Sequence, residues 1–249
     1  MQSINLKVLI TRPEKPARVL AQNLAHLGIS TICQPMFDYQ KTASSEKTQA
    51  LLRTFHQPIL IFVSAAAVEF ADKIMPLAQW PHTKIIAVGK ATTMALKTLG
   101  VTVICPQQQD SDGLLALPEL NAVKKQTIVI VRGDGGRELL ADTLQQRGAN
   151  VHYIESYQRI WRTFDKKICQ QWRIKQINCI VITSNALLES VVHLLDKSDD
   201  YWQSSCLWVV ASKRIADMAT KFKLHNVINA NGASDQAITA ALVNYGMNS

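Results

Sequence analysis

The sequence predicts an α/β protein of two similar lobes, each built around a parallel five-stranded sheet. Three observations carry that expectation. Short β-branched runs alternate with helix-length amphipathic stretches throughout the 249 residues. Strand-like runs such as Ile59-Leu60-Ile61-Phe62-Val63 are apolar at every position, as strands covered by helices on both faces are. The chain also repeats itself: Leu9-Ile10-Thr11-Arg12 returns 120 residues on as Val129-Ile130-Val131-Arg132, and Ile61-Phe62-Val63-Ser64 returns at the same spacing as Val181-Ile182-Thr183-Ser184. Asp38-Tyr39-Gln40 answers to Ser156-Tyr157-Gln158, and Val88-Gly89-Lys90 to Ala211-Ser212-Lys213, in nearly the same register.

In the first repeat the strands are expected at Lys7 to Thr11, Ser30 to Gln34, Ile59 to Val63, Lys84 to Val88 and Val101 to Cys105. In the second they are expected at Thr127 to Arg132, Asn150 to Ile154, Asn178 to Thr183, Cys206 to Ala211 and His225 to Asn229. Helices lie between most of them; Ala17, Leu20, Ala21, Leu24 and Leu27 recur at the spacing of one helix face. Gly28, Gly100 and Gly148 each stand just before a strand, where a left-handed helix C-cap belongs. The two Tyr-Gln segments sit just after the second strand of each repeat. If both are connectors, the chain crosses between lobes twice; periodicity alone leaves this exchange and two sequential lobes equally open.

At 47% hydrophobic and 18% charged, the chain has a core worth ordering and is not a disordered segment. No apolar run approaches the ~20 residues that cross a bilayer. Met1-Gln2-Ser3-Ile4-Asn5 lacks the order of a signal peptide, so the cytoplasm is the expected location. Cys33, Cys105, Cys169, Cys179 and Cys206 are odd in number and scattered, with no C-x-x-C, which points to buried thiols. The six histidines never fall at metal-ligand spacing, so no metal is expected.

In open parallel sheets ligands bind beyond the carboxyl ends of the strands. Six such corners can be read: Thr11-Arg12, Ser64-Ala65, Gly89-Lys90-Ala91-Thr92, Arg132-Gly133-Asp134-Gly135-Gly136, Thr183-Ser184-Asn185 and Ser212-Lys213-Arg214. Known phosphate loops fail there: Lys84 stands where a Walker loop needs glycine, and Glu138 where a dinucleotide fingerprint does. Four corners, at Ser64, Gly89, Ser184 and Ser212, open helices without an acid in the first turn. They leave backbone N–H groups to receive an anion. Singly, each serine is an ordinary N-cap; together, the four favour an anionic ligand.

The loop Arg132-Gly133-Asp134-Gly135-Gly136-Arg137-Glu138 resembles the uroporphyrinogen-III synthase family. So do Leu139-Leu140-Ala141-Asp142-Thr143-Leu144, Arg147-Gly148-Ala149 and Tyr157-Gln158-Arg159 after it. Leu9-Ile10-Thr11-Arg12-Pro13, Pro35-Met36-Phe37 and Ala87-Val88-Gly89-Lys90-Ala91-Thr92 match in order before it, so the likeness runs from residue 7 to about 243. It implies two flavodoxin/Rossmann-like lobes with the chain exchanged between them: residues 1–36 with 161–249, and residues 39–156. A two-stranded connector near 37–41 and 157–163 would join them, with the active site in the cleft.

The resemblance also implies closure of the linear tetrapyrrole hydroxymethylbilane into uroporphyrinogen III, with inversion of the last ring and loss of water. The enzyme would work without a cofactor, as a monomer, with at most a transient contact to the preceding pathway enzyme. The substrate's eight carboxylates suit the anion-receptive corners. Tyr157 occupies the place of the family's catalytic tyrosine and Thr92 that of a functionally implicated threonine. Substrate binding is expected at Thr11, Arg12, Ser64, Ala65, Gly89, Lys90, Arg132, Gly133, Gly135, Ser184, Asn185, Ser212, Lys213 and Arg214. Val63 and Ala66, and the pair Lys213-Arg214, depart from residues that some members carry, which favours catalysis by positioning.

Two readings from other classes compete. A non-catalytic two-lobe anion-binding protein would share the fold and the corners. A nucleic-acid-binding protein is suggested by the +8 net charge. However, Lys124-Lys125 and Lys166-Lys167 are only pairs, and no aromatic-basic module accompanies them.

Overall fold

The computed structural model describes residues 6–42, 45–135, 138–165, 167–196 and 198–248. The chain forms two compact units: one combines the chain up to Asp38 with that from Trp161 onward, and the other is Tyr39–Ile160.

In the first unit lie β1 (Lys7–Ile10), α1 (Glu14–Ala25) and β2 (Ser30–Cys33). After the second unit come α7 (Ile168–Ile174), β8 (Cys179–Ile182), α8 (Asn185–Val192), α9 (Tyr201–Ser204), β9 (Leu207–Val210), α10 (Lys213–Lys221), β10 (Val227–Asn229) and α11 (Asp235–Asn248). Their sheet has the order β10-β9-β8-β1-β2, and every neighbouring pair is parallel. Alternate residues of each strand face opposite layers. Val8, Ile10, Val181 and Val209 pack with Leu20 and Leu24 of α1 and Ile238 and Leu242 of α11. Leu9, Ile180, Ile182 and Trp208, the alternate set, are fully buried too.

The second unit holds α2 (Ser45–Thr54), β4 (Ile59–Phe62), α3 (Ala65–Ile74), β5 (Lys84–Ala87), α4 (Lys90–Thr98), α5 (Ser111–Leu115), β6 (Thr127–Gly133) and α6 (Leu139–Gln146). β3 (Phe37–Lys41) and β7 (Asn150–Trp161) carry the chain across the boundary. The order is β3-β7-β6-β4-β5. β5, β4, β6 and β7 are mutually parallel. The backbone bonds Thr42 N–H to Ser156 O and Arg162 N–H to Met36 O run β3 against β7 in opposite directions. Leu60 and Phe62 join α3 and α4 on one face, while Ile59 and Ile61 join α6 on the other.

The glycine caps appear as the sequence predicts. Gly28, Gly100 and Gly148 have φ of 73°, 74° and 85°, and the residue after each donates back to the helix, as Ile29 N–H does to Leu24 O. The expected strand at Val101 to Cys105 is corrected. Only Ile104 bridges to Ile86, through one pair of hydrogen bonds with Ile85 O and Ala87 N–H. Pro106 follows at once and has no N–H with which to extend a ladder. β3 takes the fifth place in that sheet instead.

Candidate active site

In the second unit, β4, β5 and β6 are parallel, so their following corners lie along one carboxyl edge of the sheet. Ser64 is the N-cap of α3, and its Oγ accepts the Ala67 N–H at 3.0 Å. Ala65 opens the helix. The Tyr157 hydroxyl lies 3.3 Å from Ser64 Oγ. The tyrosine is 5% exposed, and its ring packs edge-on to Tyr39 at 4.8 Å and tilted on Phe70 at 5.7 Å. Gly133 is the floor of this arrangement: a Cβ there would stand 2.4 Å from two ring carbons of Tyr157.

The β5 corner is partly filled. Gln109 Oε1 accepts the Lys90 N–H at 3.0 Å, and a Cβ on Gly89 would meet that same oxygen at 2.8 Å. Thr92, in the first turn of α4, is buried, and the enclosed Thr93 Oγ1 has no hydrogen-bond partner.

At the β6 corner Arg132 is not an open cation. Its guanidinium lies 3.3 Å from both Glu138 and Glu155 and stacks 3.6 Å above the Tyr153 ring. Tyr153 donates to Glu138 at 2.6 Å. Burial first, and this bond to Glu138 second, push the phenol up to about 12, while the hydrogen bonds from Tyr153 and Arg132 hold Glu138 below its usual range. Gly135 turns the chain at φ 68°. Gly136 and Arg137 lie outside the described residues.

In the first unit, Thr11 donates to Val181 O at 2.8 Å and so ties β1 to β8. Arg12 is enclosed as well: it is 6% exposed and pairs with Asp235 and the Ala233 carbonyl at the start of α11. Ser184 caps α8 by accepting the Leu187 N–H at 3.2 Å. The adjacent Asn185 carries a buried side-chain oxygen without a donor. Ser212 heads α10 without a side-chain cap bond, followed by exposed Lys213 and Arg214. The structure thus assembles Ser64, Ala65, Gly133 and Tyr157 at one place. The corners of the first unit form a separate set on the edge of their own sheet.

Sequence reasoning missed Gln109, which fills the β5 corner from a loop without a motif. All five cysteines are free. Among the described residues, no group of three or more His, Cys, Asp or Glu side chains could hold a metal ion, and no helix is long and apolar enough to cross a membrane.

Two five-stranded sheets, one parallel throughout and one parallel but for its edge strand β3, define a two-unit α/β protein in which several helices that follow the strands start without an acid and one start carries a buried phenol beside its capping serine. The family model described as uroporphyrinogen-III synthase HemD matches residues 18–240, and the chain belongs to the uroporphyrinogen-III synthase family. It is 30% identical over 245 residues to the uroporphyrinogen-III synthases of Escherichia coli and Salmonella typhimurium, covering 95% of this chain and 100% of each relative. The solved uroporphyrinogen III synthase of Thermus thermophilus aligns with a TM-score of 0.66 at 12% identity, over 98% of this chain and 99% of that one. That of Helicobacter pylori aligns at 0.59 and 10%, over 96% and 99%. These two likenesses show a shared fold.

Proposed function

We propose that this chain is a cyclising hydro-lyase that closes hydroxymethylbilane into uroporphyrinogen III, inverting the last pyrrole ring and expelling water. Family membership over nearly the whole chain supports the reaction. The observation that carries the site is the Tyr157 hydroxyl, held 3.3 Å from Ser64 Oγ at the N-terminus of α3.

Loss of the substrate's hydroxyl as water requires a proton on the leaving oxygen. The Tyr157 phenol supplies a hydrogen bond or that proton. Charge then develops on the phenol oxygen, which the adjacent hydroxyl of Ser64 and the positive end of the α3 dipole favour. The acid-free start of α3, beside Tyr157, leaves backbone N–H groups to receive a carboxylate of the substrate. Lys90 and Lys213 supply exposed positive charge for capture. Holding a flexible linear tetrapyrrole with its ends in reach is itself a large part of catalysis. The rearrangement is internal and redox-neutral, so it calls on no cofactor. The same reading takes the enzyme as a cytoplasmic monomer that receives its substrate from the preceding pathway enzyme by transient contact.

The test is the product isomer. Fresh hydroxymethylbilane is incubated with the protein, oxidised, and the uroporphyrins are resolved. Type III is expected. Type I alone, the product of spontaneous closure, would leave a binding protein without this chemistry.

A further inference from the structure

We infer that Asp134 and Ser156 are positioning residues: they lock a one-residue bulge in β7 that turns Tyr157 onto the face where Ser64 stands. The inference rests on the reading of Tyr157 as the proton donor.

In a regular strand Tyr157 would share a face with Tyr153 and Glu155, and Ile154 would point the other way. The structure has the opposite arrangement. Tyr157 packs in the same cluster as Ile154, with Phe62, Val131 and α3, whereas Tyr153 packs against the other face with Ile61 and Leu140. The cause is a break in register. Arg132 pairs with Glu155 but Gly133 pairs with Tyr157, which leaves Ser156 as the extra residue.

Two sets of bonds hold that extra residue. Ser156 is wholly buried, and its single hydroxyl proton is shared between Ala67 O at 3.1 Å and Arg132 O at 3.3 Å. The first acceptor belongs to the opening turn of α3, the helix that Ser64 caps. On the other side, the Asp134 N–H donates to Tyr157 O at 2.9 Å, and the Asp134 carboxylate accepts the Arg159 N–H at 3.0 Å. Asp134 therefore grips β7 at Tyr157 and two residues beyond it. Ser156 fixes it one residue before.

The test uses the full-length protein labelled with 3-fluorotyrosine. Its five tyrosines give separate fluorine resonances, with that of Tyr157 assigned by its loss in Tyr157→Phe. In Asp134→Ala and Ser156→Ala the Tyr157 resonance should move or broaden while cooperative melting persists. Turnover should fall about 10–100-fold at nearly unchanged KM, the scale of a small misplacement at a reacting centre. Asp134→Asn keeps an acceptor oxygen and should stay within about threefold of the parent. Combined with Tyr157→Phe, either alanine change should cost less than about twofold more, because it acts through the same hydroxyl. An unmoved Tyr157 resonance in both variants overturns the inference, as do losses that simply multiply in the double variants. Should Tyr157→Phe itself retain full turnover, the reading of Tyr157 as proton donor falls, and the fluorine resonance still decides whether the bulge lock exists.

Discussion

Tyr157→Phe separates a chemical role from an anchoring one because the structure makes the two costs unequal. The change removes one oxygen and the 3.3 Å hydrogen bond to Ser64. It leaves the ring on Tyr39 and Phe70, and Ser64 keeps its cap on the Ala67 N–H. A neutral hydrogen bond contributes about 1 kcal/mol net, so the melting temperature should fall by no more than roughly 2–4 °C. A general acid contributes roughly 10²–10⁴-fold, which is about 3–5 kcal/mol of barrier. The assay follows type III product at saturating and limiting hydroxymethylbilane, with melts run on the same preparations. Turnover should fall by two to four decades, on the order of that general-acid contribution, with little change in KM. Turnover within about threefold of the parent would refute the chemical role, since that is about 0.7 kcal/mol of barrier. Tyr157 would then be an anchor, whose replacement by alanine should cost on the order of 3–5 kcal/mol of stability.

Gly133→Ala should destabilise by about 1–3 kcal/mol and lower turnover, because its Cβ would meet the packed Tyr157 ring at 2.4 Å; an unchanged denaturation midpoint would contradict this. Arg12→Ala should act on folding, at about 1–3 kcal/mol, by removing the bonds of its buried guanidinium to Asp235 and the Ala233 carbonyl. Lys90→Ala and Lys213→Ala should instead raise KM and weaken its salt dependence, so a KM effect confined to Arg12 would reverse the assignment. Tyr39→Phe keeps the ring that abuts Tyr157 and should leave turnover near that of the parent; a loss equal to that of Tyr157→Phe would indicate a shared structural duty. Tyr153 should ionise near pH 12. A folded pKa above the usual 10 stabilises the fold fully below pH 10 and loses that contribution as pH rises toward 12. Stability should therefore fall off more steeply there than in Tyr153→Phe.

Local pattern decides the part of the fold that was legible in the sequence. β4 is apolar at every position and is buried at every position. Of the three serines that singly read as ordinary N-caps, Ser64 and Ser184 do cap helices with their side chains, while Ser212 makes no side-chain cap bond. The exceptions are settled by residues far along the chain or by ladder geometry. Arg12 finds Asp235 more than two hundred residues away, and Gln109 fills the corner before α4 from a loop without a motif. Val101 to Cys105 has strand composition, but only Ile104 bonds to β5. The face of Tyr157 depends on a bulge that composition does not announce, since alternation from Tyr153 assigns it to the wrong side.

The duplicated scaffold shows how little distinguishes a structural corner from a chemical one. Ser64 and Ser184 occupy equivalent places and make the same cap at 3.0 and 3.2 Å, which is all a helix start requires of them. Ser64 gains a second hydroxyl because β7 runs on past the carboxyl end of its sheet partner β6 and, one residue out of register, turns a phenol back over a glycine. Neither the serine nor the glycine carries that consequence alone. On the proposed role of Tyr157 the bulge is what brings the pair together, so substitutions that leave Tyr157 in place but restore regular β7 register should remove activity as surely as removing the phenol.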